Sequence, residues 1–292
     1  MKLPHVLLGI VIAFLFASEW VTAKAMMDHV PAFFLNCLRF AILSTLLSPW
    51  LCKPIPCSTW MLGTIAICYM VIHFGLVFLG MQLGLDASST IVVGQAGVPF
   101  SALLGFVVFR HKPHYATIAG IILAIIGLCV VFGSPDIRHS PLGFVCVVTG
   151  VFSWAVGNIL ISRLPHIPTA QLLAWFSLFS VLPLAAISWL VDPAWSQLIS
   201  GMTHYHWLGI IYITCITTLL GDGGWYWLLQ RHPTHHIAPF MLLAPLFGAL
   251  LSILFLDEQI TVPMLVGGGM ILSGVAFTFL SHRTQTSSLA EG

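Results

Sequence analysis

Residues 235–281 read HHIAPFMLLAPLFGALLSILFLDEQITVPMLVGGGMILSGVAFTFLS. An apolar run carries Pro245 in its first half, an acidic break follows at Asp257-Glu258, and a second apolar run is dotted with Gly267 and Gly274. The same order occurs once before. Residues 88–133 carry Pro99, a charged break at Arg110-His111-Lys112, then Gly120 and Gly127. Pro99 and Pro245 lie 146 residues apart, and the two glycine pairs are each offset by 147, in a chain of 292. The chain therefore reads as two copies of one unit laid end to end.

Charged residues make up 7% of the sequence and hydrophobic ones 59%, against about a quarter charged in soluble domains. The apolar runs approach ~20 residues, enough for a helix to cross ~30 Å of hydrocarbon. So few charges cannot cover a water-facing surface, which makes this an all-α polytopic membrane protein with the lipid bilayer as its solvent. The net charge of +1 says nothing about partners, and no basic run suggests nucleic acid. Seven cysteines are scattered mostly through apolar runs without a C-x-x-C, and read as packing residues; Cys52 and Cys57 are the one close pair. Lys2, the apolar stretch from Val6 and Ala23-Lys24-Ala25 imitate a signal peptide, but Glu19 and Trp20 interrupt it, so it reads as an uncleaved first helix.

The breaks fit ten transmembrane helices, at about 4–23, 32–51, 59–81, 88–109, 114–133, 142–162, 169–191, 206–229, 235–256 and 261–281. The first unit covers 1–135 and the second 140–283, with a polar tail over 284–292 expected to be disordered. With the N-terminus in the cytoplasm, seven Lys/Arg (Lys2, Lys53, Arg110, Lys112, Arg163, Arg231, Arg283) fall inside and two (Lys24, Arg138) outside. A bias of that size sets orientation and places both termini in the cytoplasm. Five helices per unit is an odd number, so the second copy enters from the opposite side. Two inverted five-helix repeats are a recurring plan of secondary transporters, with the binding site near the midplane between them.

The ionisable residues inside spans are Glu19, Arg39, His73 and Asp222. Such groups are costly in hydrocarbon and turn towards the bundle interior, where they pair. Glu19 and Arg39 differ by only ~5 Å in depth at 1.5 Å per residue, so an ion pair is expected: either a clamp between the first two helices or part of a site for a zwitterion. Asp222 sits in Gly221-Asp222-Gly223-Gly224, where glycines permit close approach. A lone carboxylate there favours its neutral form, which suits a proton carrier or an amine acceptor; Glu19 is the second candidate for proton coupling. Trp154 and Asn158 are four apart and share a helix face, and Asn158 stands 139 residues after Glu19, the same offset as Arg163 after Lys24. Trp20, His73, Gln95, Trp225 and Tyr226 complete the candidate substrate-binding set, each weighed against plain helix packing or an interfacial belt. Pro99 and Pro245 are the natural hinges. His232, His235, His236, His204 and His206 read as solvated loop residues rather than metal ligands, because no Cys or carboxylate completes a set. Gly94, Gly97, Gly105 and Gly267 to Gly269 read as surfaces for close helix contact. No Walker motif is present, so no nucleotide cofactor is implied.

The chain also resembles the EamA-type permeases of the drug/metabolite transporter superfamily. Phe16-Ala17-Ser18-Glu19-Trp20-Val21-Thr22-Ala23-Lys24 looks like the family's first-span W-G-x-N-F-x-x-x-K, and Leu38-Arg39-Phe40 like its L-R-F. Phe152-Ser153-Trp154-Ala155-Val156-Gly157-Asn158 matches the sixth-span S-W-A-x-G-N, while Ala238-Pro239 through Pro245 and Leu256-Asp257-Glu258 match the ninth span and its corner. The sixth, eighth and ninth spans look most like bacterial O-acetylserine/cysteine exporters. The resemblance implies a bacterial inner-membrane exporter of small amino-acid-like metabolites, with a small-molecule solute as its partner and a homodimer left open. Related readings are export of other metabolites or drugs, and a lipid-linked substrate flippase; an intramembrane enzyme is the remote alternative, since aspartyl chemistry needs two facing aspartates. The sequence departs from the family at Arg110-His111-Lys112, where G-E-R is usual, at Phe16 and Glu19, where Trp and Asn are usual, and at Asp222.

Overall fold

The computed structural model describes residues 3–109, 115–192, 194–229, 231–232 and 240–290. Within them the chain is helical and contains no strand. We number the long helices α1 (Leu3–Met26), α2 (Ala32–Leu46), α3 (Thr59–Gln82), α4 (Ala87–Gly94 continued by Gly97–Phe109), α5 (Tyr115–Val131), α6 (Pro141–Ile161), α7 (Thr169–Val191), α8 (His204–Ile211, Tyr212–Asp222 and Gly223–Leu229), α9 (Ala244–Leu256) and α10 (Val262–Ala290). Six of these elements are long and apolar enough to cross a membrane: α1, α3, α4, α6, α7 and α8. Of the others, α2 and α9 are only 15 and 13 residues long, α5 is 17, and α10 counts as a shorter apolar helix over Val262–Phe277. Large apolar side chains face outward along the bundle, including Trp60 at 84%, Leu190 at 82% and Leu182 at 78% exposure. Water would not tolerate such a surface; acyl chains would. The helix α10 runs through to Ala290.

Helices in lipid gain little from burying apolar surface against one another, so they pack where backbones can come close. Gly143, Gly150 and Gly157 recur every seven residues on α6 and face α3. A Cβ on them would lie 2.9 Å from the Gly80 carbonyl, 2.9 Å from the His73 carbonyl and 3.0 Å from Tyr69 Cβ. On α10, Gly267 abuts the Gly127 carbonyl and Gly274 that of Gly120. The higher-numbered glycine of one helix meets the lower-numbered glycine of the other, so α5 and α10 run antiparallel. Exchanging the halves by the 147-residue offset turns the Gly127–Gly267 contact into the Gly274–Gly120 contact. Other packing follows the same rule: α1 lies on α9 as α6 lies on α4, and α3 on α6 as α8 on α1. Gly105 and Gly269, expected at close crossings, have nothing within 4 Å of a built Cβ.

Two local irregularities recur in both halves. The backbone of α3 widens to π-helix over Ile67–Ile72, and that of α8 over Tyr212–Asp222. In α4 the helix breaks at Gln95-Ala96, four residues before the ring of Pro99 would strike the Gln95 carbonyl. A break at Leu242-Leu243 likewise precedes Pro245.

At one end of the bundle Asp257 closes α9 in the left-handed conformation at φ 54°. That turn aims Glu258 at the start of α4, where its carboxylate accepts from the Ala87 N–H at 2.7 Å, the Ser88 N–H at 2.9 Å and the Ser88 hydroxyl at 2.6 Å. A carboxylate at a helix N-terminus satisfies otherwise orphaned donors. Asp86, Asp136 and Glu258 gather there, and Lys24 answers with a bond to the Met81 carbonyl at 2.8 Å. Half-burial of Asp86, then the charges of Glu258 and Asp136, push its carboxyl up to about 6 against the relief given by Lys24. Among the described residues all seven cysteines are free, Cys52 and Cys57 included.

Gly267→Val should lower the melting temperature in detergent, by a cost of about 1–3 kcal/mol for overpacking, since its Cβ would fall 2.6 Å from the Gly127 carbonyl; Gly269→Ala should leave it unchanged. A raised carboxyl means the folded chain binds this proton more readily than the unfolded one, so the penalty is full above about pH 6 and relieved as pH falls towards 4. Asp86→Asn should therefore melt higher than the parent at pH 7.5, by up to about 1 kcal/mol after solvent screening, and the gap should close on acidification.

Candidate functional site

The candidate residues meet around one cavity of about 400 Å³ in the middle of the bundle, the size of a small-molecule pocket. Glu19 and Trp20 come from α1, His73 from α3, Gln95 from α4, Trp154 and Asn158 from α6, and Asp222 and Trp225 from α8. The four-residue spacing of Trp154 and Asn158 does bring both to one lined face, and Asn158 and Glu19 stand on the same wall set. Arg39 does not line the cavity, and the side chain of Tyr226 lies outside the described residues. So do Arg110, His111 and Lys112, and on the other connection His235, His236, Ala238 and Pro239.

Arg39 is where the strongest electrostatics lie. Its side chain has no exposed surface, and Nη1 meets Glu19 Oε1 at 2.7 Å with Glu19 itself only 3% exposed. This is the ion pair expected from depth alone. The two atoms touch off the N–H direction, so the contact is charge-to-charge rather than a hydrogen bond. The guanidinium is held from the other side by Thr218 of α8, whose hydroxyl oxygen accepts from Nε at 3.0 Å and Nη2 at 2.7 Å. Thr218 in turn donates to the Ile213 carbonyl five residues back, the reach that a π-helical register allows. Phe74 stacks on the guanidinium with 4.2 Å from Cζ to the ring centre. Arg39 thus stands as a clamp behind Glu19, the first of the two roles open to it in the sequence. Its guanidinium touches Glu19 and Phe74, which line the cavity, without lining it itself.

His73 and Asp222 share a backbone setting. His73 is the first residue after the π-helical stretch of α3, and Asp222 the last of that in α8. Both side chains line the cavity. The His73 ring is fixed by Nδ1 donating to the Gly150 carbonyl at 3.0 Å. Asp222 is half-buried, and its carboxylate makes no hydrogen bond to another described residue. Two glycines seat the indoles: Gly94 faces the ring of Trp20, and Gly97 that of Trp154 at 2.9 Å from a built Cβ. Sequence reasoning missed Tyr69, Phe74 and Ser101, which also line the cavity. It also misjudged His206, which is no free loop residue: its Nδ1 accepts the Thr203 N–H at 3.0 Å and closes a capping box at the start of α8. His232 likewise meets His5 of α1, with Nδ1 and Nε2 2.6 Å apart.

The EamA-like transporter family model matches residues 3–133 and again 141–280. The chain belongs to the EamA-like transporter family. Among its relatives, a Salmonella typhimurium protein named a probable amino-acid metabolite efflux pump is 28% identical over 295 residues, covering 98% of both chains. An Escherichia coli protein of the same name is 28% identical over 276 residues, covering 92% of each. A solved crystal structure shares the fold with a TM-score of 0.62 over 94% of this chain and 98% of its own, at 17% identity. As an EamA-like transporter the chain is a multi-pass membrane protein, and its family and relatives are named for moving solutes, not for catalysis.

Arg39→Ala should unfold the protein more readily, at a cost of about 3–5 kcal/mol for stranding a buried charge. In Glu19→Gln/Arg39→Met both charges go, and the double variant should melt above Arg39→Ala; a thermodynamic cycle on melting in detergent reads the coupling.

Proposed function

We propose that this EamA-like transporter exports small amino-acid-like metabolites from the cytoplasm across the bacterial inner membrane by alternating access. The observation that carries the reading is the cavity itself. It draws polar groups from both matched units, Glu19, His73 and Gln95 from the first and Asn158 and Asp222 from the second. A site shared between repeats is what a carrier that rocks one half against the other requires. The reciprocal glycine contacts of antiparallel α5 and α10 support inversion, because a two-fold axis that exchanges antiparallel helices runs across them and hence in the membrane plane. Ten crossings with both termini cytoplasmic agree with the Lys/Arg bias. The breaks before Pro99 and Pro245 border the cavity through Gln95 and Ala244 and are the proposed hinges. The whole cavity is built within one chain, so a homodimer is not needed to form it.

Asp222 is the proposed proton carrier. Its carboxylate stands in the cavity uncommitted, whereas Glu19 is held by Arg39. The efflux-pump names of the relatives support an amino-acid-like solute. In proteoliposomes, an imposed pH gradient should drive flux of amino-acid-like solutes through the parent protein and about tenfold less through Asp222→Asn, on the scale of losing one buried ionic contact. Undiminished pH-driven flux in that variant removes the proton role, and absence of flux for a panel of amino acids and their amine, amide and ester derivatives in the parent sinks the exporter reading.

A further inference from the structure

The charges around the cavity do not balance for a zwitterion. Among the described lining residues there is no lysine or arginine. The nearest guanidinium, Arg39, is fully buried and spends its nitrogens on Glu19 and Thr218. His73 gives its Nδ1–H to the Gly150 carbonyl, so the neutral ring offers the cavity an acceptor rather than a donor. A substrate carboxylate would enter a largely apolar space with no cation to meet it, and an unpaired buried charge is expensive. A cation has the opposite reception. The Asp222 carboxylate makes no hydrogen bond to another described residue, and Trp20, Trp154, Trp225, Tyr69 and Phe74 line the same space with aromatic rings. An acid among aromatic rings is the chemistry that recognises ammonium groups.

We propose that the occupant of this cavity is a monocationic amine with an apolar body, namely an amino-acid derivative whose carboxylate is absent or masked, such as a decarboxylated amino acid, an amide or an ester. This rests on the transporter reading and names its substrate class. The ammonium pairs with Asp222 and lies against the indole faces, while the apolar body fills the remainder. Gln95 and Asn158 supply neutral amides that suit a masked carbonyl. The Glu19–Arg39 pair is neutral in sum and presents its carboxylate end, not its guanidinium, to the cavity.

The purified full chain in detergent, titrated calorimetrically with 2-phenylethylamine, phenylalanine and 3-phenylpropionate, tests this with one body and three charge states. The amine should bind about tenfold or more tightly than phenylalanine, the scale of one buried charge contact, with phenylpropionate weakest. Asp222→Asn should abolish the preference and Asp222→Glu should retain it. Equal or tighter binding of phenylalanine by the parent overturns the inference, as does an unchanged preference in a folded Asp222→Asn. Proteoliposome flux separates the two readings. Movement of phenylalanine in preference to phenylethyltrimethylammonium, which cannot leak as a free base, defeats the amine and keeps the carrier. Neither binding nor flux for any probe defeats both.

Discussion

A guanidinium with no exposed surface in the middle of an apolar bundle must be answered where it lies. Arg39 is answered by three elements at once: the carboxylate of Glu19 on α1, the hydroxyl of Thr218 on α8 and the ring of Phe74 on α3. Removing any of them exposes a desolvated charge, so their relative positions are fixed together. This clamp holds the back of the wall whose front, through Glu19, faces the cavity. It also draws helices from both sequence halves to one point. The rest of the site inherits its geometry from that constraint.

The clamp needs backbone irregularity to work. In a regular α-helix a threonine hydroxyl reaches the carbonyl four residues back; Thr218 reaches five, to Ile213, and still presents two lone-pair directions to Arg39. The same π-helical stretch ends on Asp222, and its counterpart in α3 ends just before His73. Wider turns are less stable than α-helix and persist where side chains pin them. Here Ser153 of α6 donates to the Cys68 carbonyl at 2.8 Å within the α3 stretch, and Arg39 pins the α8 stretch. Packing through Gly143, Gly150 and Gly157 brings α6 near enough for that bond.

These details explain which parts of the molecule could be read from residues alone. The duplication was legible in the spacing of Pro99 and Pro245 and of the glycine pairs, because proline and glycine mark backbone events directly. Glu19, His73, Asn158 and Asp222 were legible because a polar group in hydrocarbon has to face inward. The hold of Thr218 and Phe74 on Arg39 was not, since equal depth on two helices does not say what else surrounds a side chain. Thr218 gave no signal at all: its role exists only after the helix widens, and the 3.6-residue period cannot register that. Glu258 was visible as a corner acid, yet its partners at Ala87 and Ser88 lie about 170 residues away and are found only in three dimensions. Tyr69 and Phe74 were hidden for a related reason, being ordinary aromatic residues whose facing depends on the π register of α3.

The two units share a scaffold but not a set of charges, and the difference falls where it has consequences. At corresponding sites around the cavity one unit supplies Glu19 and the other Asn158. At the corners the asymmetry is sharper. Glu258 clamps the start of α4 with three hydrogen bonds to a carboxylate, and the residue 147 positions earlier is His111. Charge-assisted bonds are worth about 1.5–3 kcal/mol each before desolvation is counted, and a histidine cannot accept three donors as a carboxylate can. A symmetric pair of halves would close equally well at either end, because exchanging their roles would regenerate the same contacts. A carboxylate that clamps one corner, at a position where the sequence of the other unit has His111, removes that degeneracy. The repeat supplies the shared scaffold, and the departures from it supply the difference in charge between the two units.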